Sequence, residues 1–280
     1  RAHYMIDIAD SALRNIKLPP KIGFQRYIKH EPLGTCFIIA PWNYPFLTAI
    51  NGIIPALLSG NAVILKHSAQ TPLVAERFYQ AFHEAGLAEG IFQYLHLTHD
   101  DTQALIQSDI INGVVFTGSV AGGKQIEQSA AGRFIPVSLE LGGKDPAYVR
   151  ADANIDFAVS TTIDGAFFNS GQSCCGIERI YVHKQCFDEF IDKAVLLVNK
   201  YRLGPSNDKN TTLGPMVSNK AADFVRNQIE DAIKHGATPL IDTNQFDYDK
   251  PGTAYLAPQI LINVNHQMSI MQEETFGPVV

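Results

Sequence analysis

Between Ala62 and Leu95 the chain runs strand, helix, strand, and this order limits its fold more than any other feature. Ala62-Val-Ile-Leu65 is a short apolar, β-branched run. Thr71-Pro72, apolar residues at Val74, Phe78, Ala81, Phe82 and Ala85, and a stop at Gly86 predict a helix capped by Thr71, with Pro72 in its first turn. Ile91-Phe-Gln-Tyr-Leu95 is a second strand-like run. Two strands joined by a helix cannot close as a hairpin, so they pair in parallel in a sheet covered on both faces.

The alternation continues with a helix around Thr102 to Gln107, a strand Gly113 to Thr117, a helix near Gly123 to Ala130 and a strand Ile135 to Leu139. A second series has helices over Ile155 to Phe168, Phe187 to Tyr201 and Asn219 to His235, with strands at Ile177 to Val182, Thr238 to Ile241 and Gln259 to Ile262. The fold class is therefore α/β, and the glycine pair Gly142-Gly143 is the expected boundary between domains 1–142 and 143–280. Lys21 to Ile39, rich in β-branched and aromatic residues and without helix caps, reads as a hairpin leading into the first sheet strand.

Composition narrows the class of function. There are 22 Lys and Arg against 28 Asp and Glu, a net charge of −6, and no basic run that could neutralise phosphates, so nucleic acid and anionic membranes are not expected partners. The most apolar window, Ile50 to Leu65, is broken by Asn51, Pro55, Ser59, Gly60 and Asn61, so no bilayer span is expected. Four cysteines are too few for a disulfide scaffold and fit a reducing compartment, which gives a cytoplasmic expectation.

Two of those cysteines are neighbours, Cys174 and Cys175, in Gly171-Gln-Ser-Cys-Cys-Gly176. Adjacent cysteines are poorly spaced for a metal, and a disulfide between them would close almost no loop, so neither is expected. Two readings remain: small buried hydrophobes, or a reachable thiol nucleophile in a loop leading out of a helix. Glu140, directly after an apolar strand and before two glycines that let backbone approach closely, reads by itself as a salt-bridged strand-end carboxylate. Asn43, an amide side chain fixed between Pro41 and Pro45, reads by itself as part of an ordinary proline turn.

Six motifs in sequence order favour a chemical reading. Pro41-Trp-Asn-Tyr-Pro45, Gly60-Asn-Ala-Val-Ile-Leu-Lys66, Phe116-Thr-Gly-Ser119, Glu140-Leu-Gly-Gly-Lys144, Gly171-Gln-Ser-Cys174 and Glu273-Glu-Thr-Phe-Gly-Pro278 together resemble the signature motifs of the aldehyde dehydrogenase superfamily. The resemblance implies a Rossmann-type parallel-sheet cofactor domain over 1–142 and an α/β catalytic domain over 143–280. It implies oxidation of a small-molecule aldehyde to a carboxylic acid with NAD or NADP. Cys174 corresponds to the nucleophile, Asn43 to an oxyanion donor and Glu140 to the general base. Lys66 corresponds to the ligand of the adenosine ribose, Gly118 and Ser119 to the pyrophosphate turn, Trp42 to a wall of the same cleft, and Glu274 to the ligand of the nicotinamide ribose. Cys175 is then expected to pack behind Cys174. No metal is implied. The family also implies a homodimer or homotetramer associating through a hairpin near Ile16 to His30.

Three departures qualify the resemblance. Ala69 stands where many NAD-preferring relatives carry a glutamate that would repel a 2′-phosphate, so NADP is permitted. His67 replaces a common proline beside Lys66 and is expected to be a solvated side chain rather than a phosphate ligand. Family chains extend beyond both ends of this one, so it reads as a fragment, incomplete at the C-terminus of the catalytic domain. Two readings of other classes compete: a truncated relative that binds NAD(P) without turnover, and a thiol redox or metal protein built on the cysteine pair.

Overall fold

A computed structural model describes residues 1–280. The chain divides into two compact units, Arg1–Leu141 and Gly142–Val280.

The first unit begins with helix α1 (Ala2–Ala12), which buries none of its residues. A short antiparallel ribbon follows, β1 (Ile16–Lys17) with β2 (Tyr27–Ile28). Its centre is a five-stranded sheet of β3 (Thr35–Ala40), β4 (Ala62–His67), β5 (Phe92–Tyr94), β6 (Gly113–Gly118) and β7 (Val137–Leu141), all parallel, in the order β5-β4-β3-β6-β7. The chain winds outward from β3 to β5 and then returns to lay β6 on the other side of β3. The connection therefore reverses direction between β3 and β6.

Strand β3 shows why both faces must be covered. Cys36, Ile38 and Ala40 enter a core with Ala49, Ile53, Val74 and Phe78 of helices α2 (Pro45–Leu58) and α3 (Leu73–Glu84). Phe37 and Ile39 enter the opposite core with Ile106 and Ile126 of α4 (His99–Gln107) and α5 (Val120–Ala130). Alternate side chains of one strand thus feed two apolar layers, as expected of a doubly wound sheet. The apolar window Ile50 to Leu65 is split between α2 and β4, and no helix is long and apolar enough to cross a membrane.

Two details of local chemistry differ from expectation. Pro72, not Thr71, stands at the N-cap of α3 and makes no side-chain cap bond; the Thr71 hydroxyl lies 3.0 Å from His67 Nδ1 instead. Helix α5 starts at Val120, ahead of the expected Gly123, because Ser119 caps it by accepting the Gly122 N–H at 3.1 Å.

The second unit pairs β8 (Asp145–Val149) in parallel with β9 (Ile177–Val182), connected through helix α6 (Ile155–Phe167). Helices α7 (Phe187–Val198) and α8 (Asn219–Lys234) and the antiparallel pair β10 (Thr238–Pro239) and β11 (Leu261–Ile262) complete it. Strand β8 is invisible as an apolar run because Pro146 interrupts it; the structure places that proline at a bulge, where a missing N–H costs no ladder bond. Two apolar clusters hold this unit, one around Ile163, Phe190 and Val198, the other around Val225, Met268 and Val279.

Candidate active site

In the first unit the candidate residues collect at one edge of the sheet. Trp42 and Asn43 follow the C-terminal end of β3. Lys66 sits near the same end of β4, paired in register with Ile39 of β3. Gly118 ends β6 and Ser119 follows it, while Glu140 lies on β7 beside Thr117 of β6. Four neighbouring parallel strands therefore deliver their candidates to the same edge, across the point where the winding reverses. Open α/β sheets bind ligands in the crevice at that point.

The residues there suit a dinucleotide. Ser119 opens an eleven-residue helix with no acidic side chain in its first turn, so free N–H groups and the positive end of the helix dipole are available to a pyrophosphate. Lys66 is 9% exposed with no carboxylate within salt-bridge range, and burial lowers its pKa. A buried cation without a fixed anion is suited to a polar ligand's hydroxyl or phosphate oxygens. Ala69 is exposed and offers neither charge nor bulk against a 2′-phosphate. Glu140 is exposed and has no ion-pair partner within 4 Å, so its reading as a salt-bridged strand-end carboxylate does not describe it.

His67 corrects the sequence reading. It is 2% exposed, not solvated, with Nε2 3.1 Å from the Pro45 carbonyl and Nδ1 3.0 Å from Thr71 Oγ1. The neutral ring with hydrogen on Nε2 satisfies both contacts, donating to Pro45 and accepting from Thr71. Burial is the main cause that lowers its pKa, followed in the same direction by Lys66 and His96. His67 thus pins the start of α2, two residues after Asn43, to the end of β4.

The second unit carries Cys174 and Glu274. After α6 the chain turns sharply: Asn169 and Ser170 have φ of 52° and 56°, and Gly171 has φ of 70°. A Cβ on Gly171 would lie 2.1 Å from the Gly277 carbonyl oxygen, so only glycine fits this left-handed, crowded position. Ser170 donates to the Gly214 carbonyl at 2.8 Å, and the buried Gln172 accepts the Val217 N–H at 2.7 Å. The loop that presents the thiols is therefore tied down on both sides of its turn.

Cys174 and Cys175 are both exposed. The expectation that Cys175 packs behind its neighbour is overturned: Cys175 Sγ lies 3.4 Å from Ser173 Oγ at the surface. The reading of the pair as small buried hydrophobes falls with it. Partial burial, then Cys175 and, more weakly, Glu274 push the Cys174 thiol above its ordinary pKa. No group of three His, Cys, Asp or Glu side chains that could hold a metal is present.

Glu274 rests on the glycine pair. A Cβ on Gly142 would meet its carboxylate oxygen at 1.9 Å, and the nearby Gly143 backbone amide favours its charged form. Burial and the nearby Glu178 raise its pKa. Behind it lies a buried pair absent from the sequence reading: Lys144 Nζ is 2.6 Å from Glu178 Oε2 and donates to Thr275 Oγ1 at 2.7 Å. Nothing in the Ile177-Glu178-Arg179 pattern marks that glutamate as inward-facing, since it sits in a strand whose neighbours are only half-buried.

Comparison with known proteins identifies the family. The sequence profile of the aldehyde dehydrogenase family matches residues 2–280. A mitochondrial aldehyde dehydrogenase of Leishmania tarentolae is 37% identical over 99% of the chain and 55% of its own length. The succinate-semialdehyde dehydrogenase [NADP(+)] 1 of Mycobacterium bovis (strain BCG / Pasteur 1173P2) is 34% identical over 97% of the chain and 58% of its own length. The structure of a succinic semialdehyde dehydrogenase from Streptococcus pyogenes, in complex with NADP+ as the cofactor, superposes with a TM-score of 0.91 at 28% identity, covering 99% of this chain and 60% of that one. The chain thus spans a little over half the length of the curated relatives it matches. With the six motifs and a doubly wound sheet carrying candidates at its reversal point, the conclusion is that the chain belongs to the aldehyde dehydrogenase family.

Proposed function

We propose that the protein oxidises an aldehyde to a carboxylic acid with NAD+ or NADP+, the first unit binding the dinucleotide and the second supplying the thiol. The observation that carries this reading is the convergence of Asn43, Lys66, Ser119 and Glu140 on one edge of four parallel strands.

Lys66 binds the adenosine ribose, and the absence of charge at Ala69 leaves room for a 2′-phosphate. Relatives whose names specify NADP+ support its use here. Gly118, Ser119 and the N-terminus of α5 hold the pyrophosphate, with Trp42 bordering the cleft, and Glu274 accepts hydroxyls of the nicotinamide ribose.

Cys174 loses its proton and its sulfur attacks the aldehyde carbon, giving a thiohemiacetal. The Asn43 amide and the Cys174 backbone N–H stabilise the oxyanion. A nicotinamide cofactor held by Lys66, Ser119 and Glu274 would supply the hydride acceptor needed to convert this adduct to a thioester on Cys174. Glu140 then takes a proton from water, whose oxygen attacks the thioester carbon and releases the acid and the thiol. One aldehyde, one oxidised cofactor and one water give one acid, one reduced cofactor and one proton.

The test is stoichiometric. Incubation with a panel of small aldehydes and each cofactor should yield reduced cofactor and carboxylic acid in equal amounts. Cofactor binding with no reduction by any aldehyde would sink the proposal and leave a binding protein.

A further inference from the structure

We infer that Glu178 is a positioning residue that sets the Glu274 carboxylate by fixing the backbone immediately after it. The inference rests on Glu274 acting as the nicotinamide-ribose ligand proposed above.

Glu178 is 7% exposed, yet both its oxygens are used. It accepts the Thr275 N–H at 2.8 and 3.1 Å and the Phe276 N–H at 2.9 Å, and takes the Lys144 ammonium at 2.6 Å. Lys144 in turn holds the Thr275 hydroxyl at 2.7 Å. Arg179 braces the other end by donating to the Lys144 carbonyl at 2.7 and 3.0 Å and to the Met271 carbonyl at 3.3 Å. A hydrogen-bonded, paired carboxylate is the way a charge survives such burial.

Phe276 shows what this grip achieves. Its φ is 54°, a left-handed conformation that an aromatic residue adopts only when its surroundings impose it. The Glu178 carboxylate receives the N–H of that residue and of the one before it, so the kink is held at both of its amides. Glu274 immediately precedes the kink and has little freedom left, because Gly142 lies directly beneath its carboxylate, where even a Cβ would clash. Gly277 immediately follows, with its carbonyl against Gly171 of the thiol loop. One buried glutamate therefore fixes a segment that touches both the ribose ligand and the turn carrying Cys174.

A cycle of Glu178→Gln, Glu274→Gln and the double variant, all with Cys175→Ser, tests this with two readouts. Fluorescence titration with NADPH reads cofactor affinity. The pH midpoint of iodoacetamide alkylation at Cys174 reads where the Glu274 charge sits, without any cofactor. Each single variant should weaken NADPH binding by about tenfold or more, and the double variant should lose little further. Glu178→Gln should move the alkylation midpoint when Glu274 is present and leave it unmoved once Glu274 is Gln.

If Glu178→Gln moves the midpoint equally in both backgrounds, the positioning role is overturned. If the midpoints couple but Glu274→Gln leaves NADPH affinity unchanged, positioning stands and the ribose reading of Glu274 falls. Should Glu178→Gln fail to fold with Lys144 left unpaired, Glu178→Gln with Lys144→Met removes both buried charges. The same cycle is then read against Lys144→Met alone, and additive shifts there overturn the role equally.

Discussion

Cys174 and Cys175 are chemically alike and both exposed, so exposure alone does not choose between them. What separates them is electrostatic company: the Cys174 thiol is raised by burial, by its neighbour and by Glu274. A raised thiol pKa keeps the group protonated at neutral pH, so alkylation of Cys174 should climb with pH to a midpoint above that of free cysteine, and Glu274→Gln should lower that midpoint. Asn43→Ala should cost roughly 10² to 10³ in kcat if its amide stabilises the oxyanion. Glu140→Gln should slow release of the acid by about 10² to 10⁴, seen as a burst of cofactor reduction followed by a slow steady rate. Unchanged steady turnover in that variant would make Glu140 structural. At Ala69, substitution by Glu should depress kcat/KM for NADP+ more than for NAD+, read by parallel steady-state assays, because in the proposed binding mode a carboxylate there would repel the 2′-phosphate.

Among the elements, the junction of β4, α2 and α3 carries the clearest pH signature. His67 has a folded pKa below its ordinary value near 6.5, so the unfolded chain binds a proton more readily than the folded one. Its contribution to stability is complete above about pH 6.5 and is lost as pH falls through the folded pKa. Replacing His67 with Gln should flatten this acid-side loss in urea melts across that range, and an unchanged slope would mean the ring titrates freely. The turn after α6 is a second test: Gly171→Ala should destabilise by about 1–3 kcal/mol from the left-handed backbone alone, with the clash against Gly277 adding to it.

These same elements show how far the sequence can be read. Strands and helices with an unbroken period, such as β9 and α6, lie where the apolar pattern puts them. The pattern says nothing of β8, because Pro146 masks it, or of α1, which buries no face. The inward turn of Glu178 and the burial of His67 depend on partners 97 and 22 residues away, Thr275 and Pro45, which no local window contains. Motif order pointed to Asn43, Glu140 and Cys174 as candidates, but the polar network behind Glu274 required the fold.

At the scale of the whole molecule, two units with separate apolar cores divide the proposed labour. If the first unit binds the dinucleotide, saturating NADP+ should raise the thermal midpoint, since ligand at about 100 times its Kd adds about 2.7 kcal/mol to the folded state. The central claim, that a covalent intermediate forms on Cys174, is tested most directly by mass spectrometry. The measurement is made on Glu140→Gln with Cys175→Ser, quenched during turnover with NADP+ and an aldehyde that the wild-type protein oxidises. An acyl adduct on the peptide containing Cys174 is the predicted result; a peptide that stays unmodified while cofactor is reduced would contradict it.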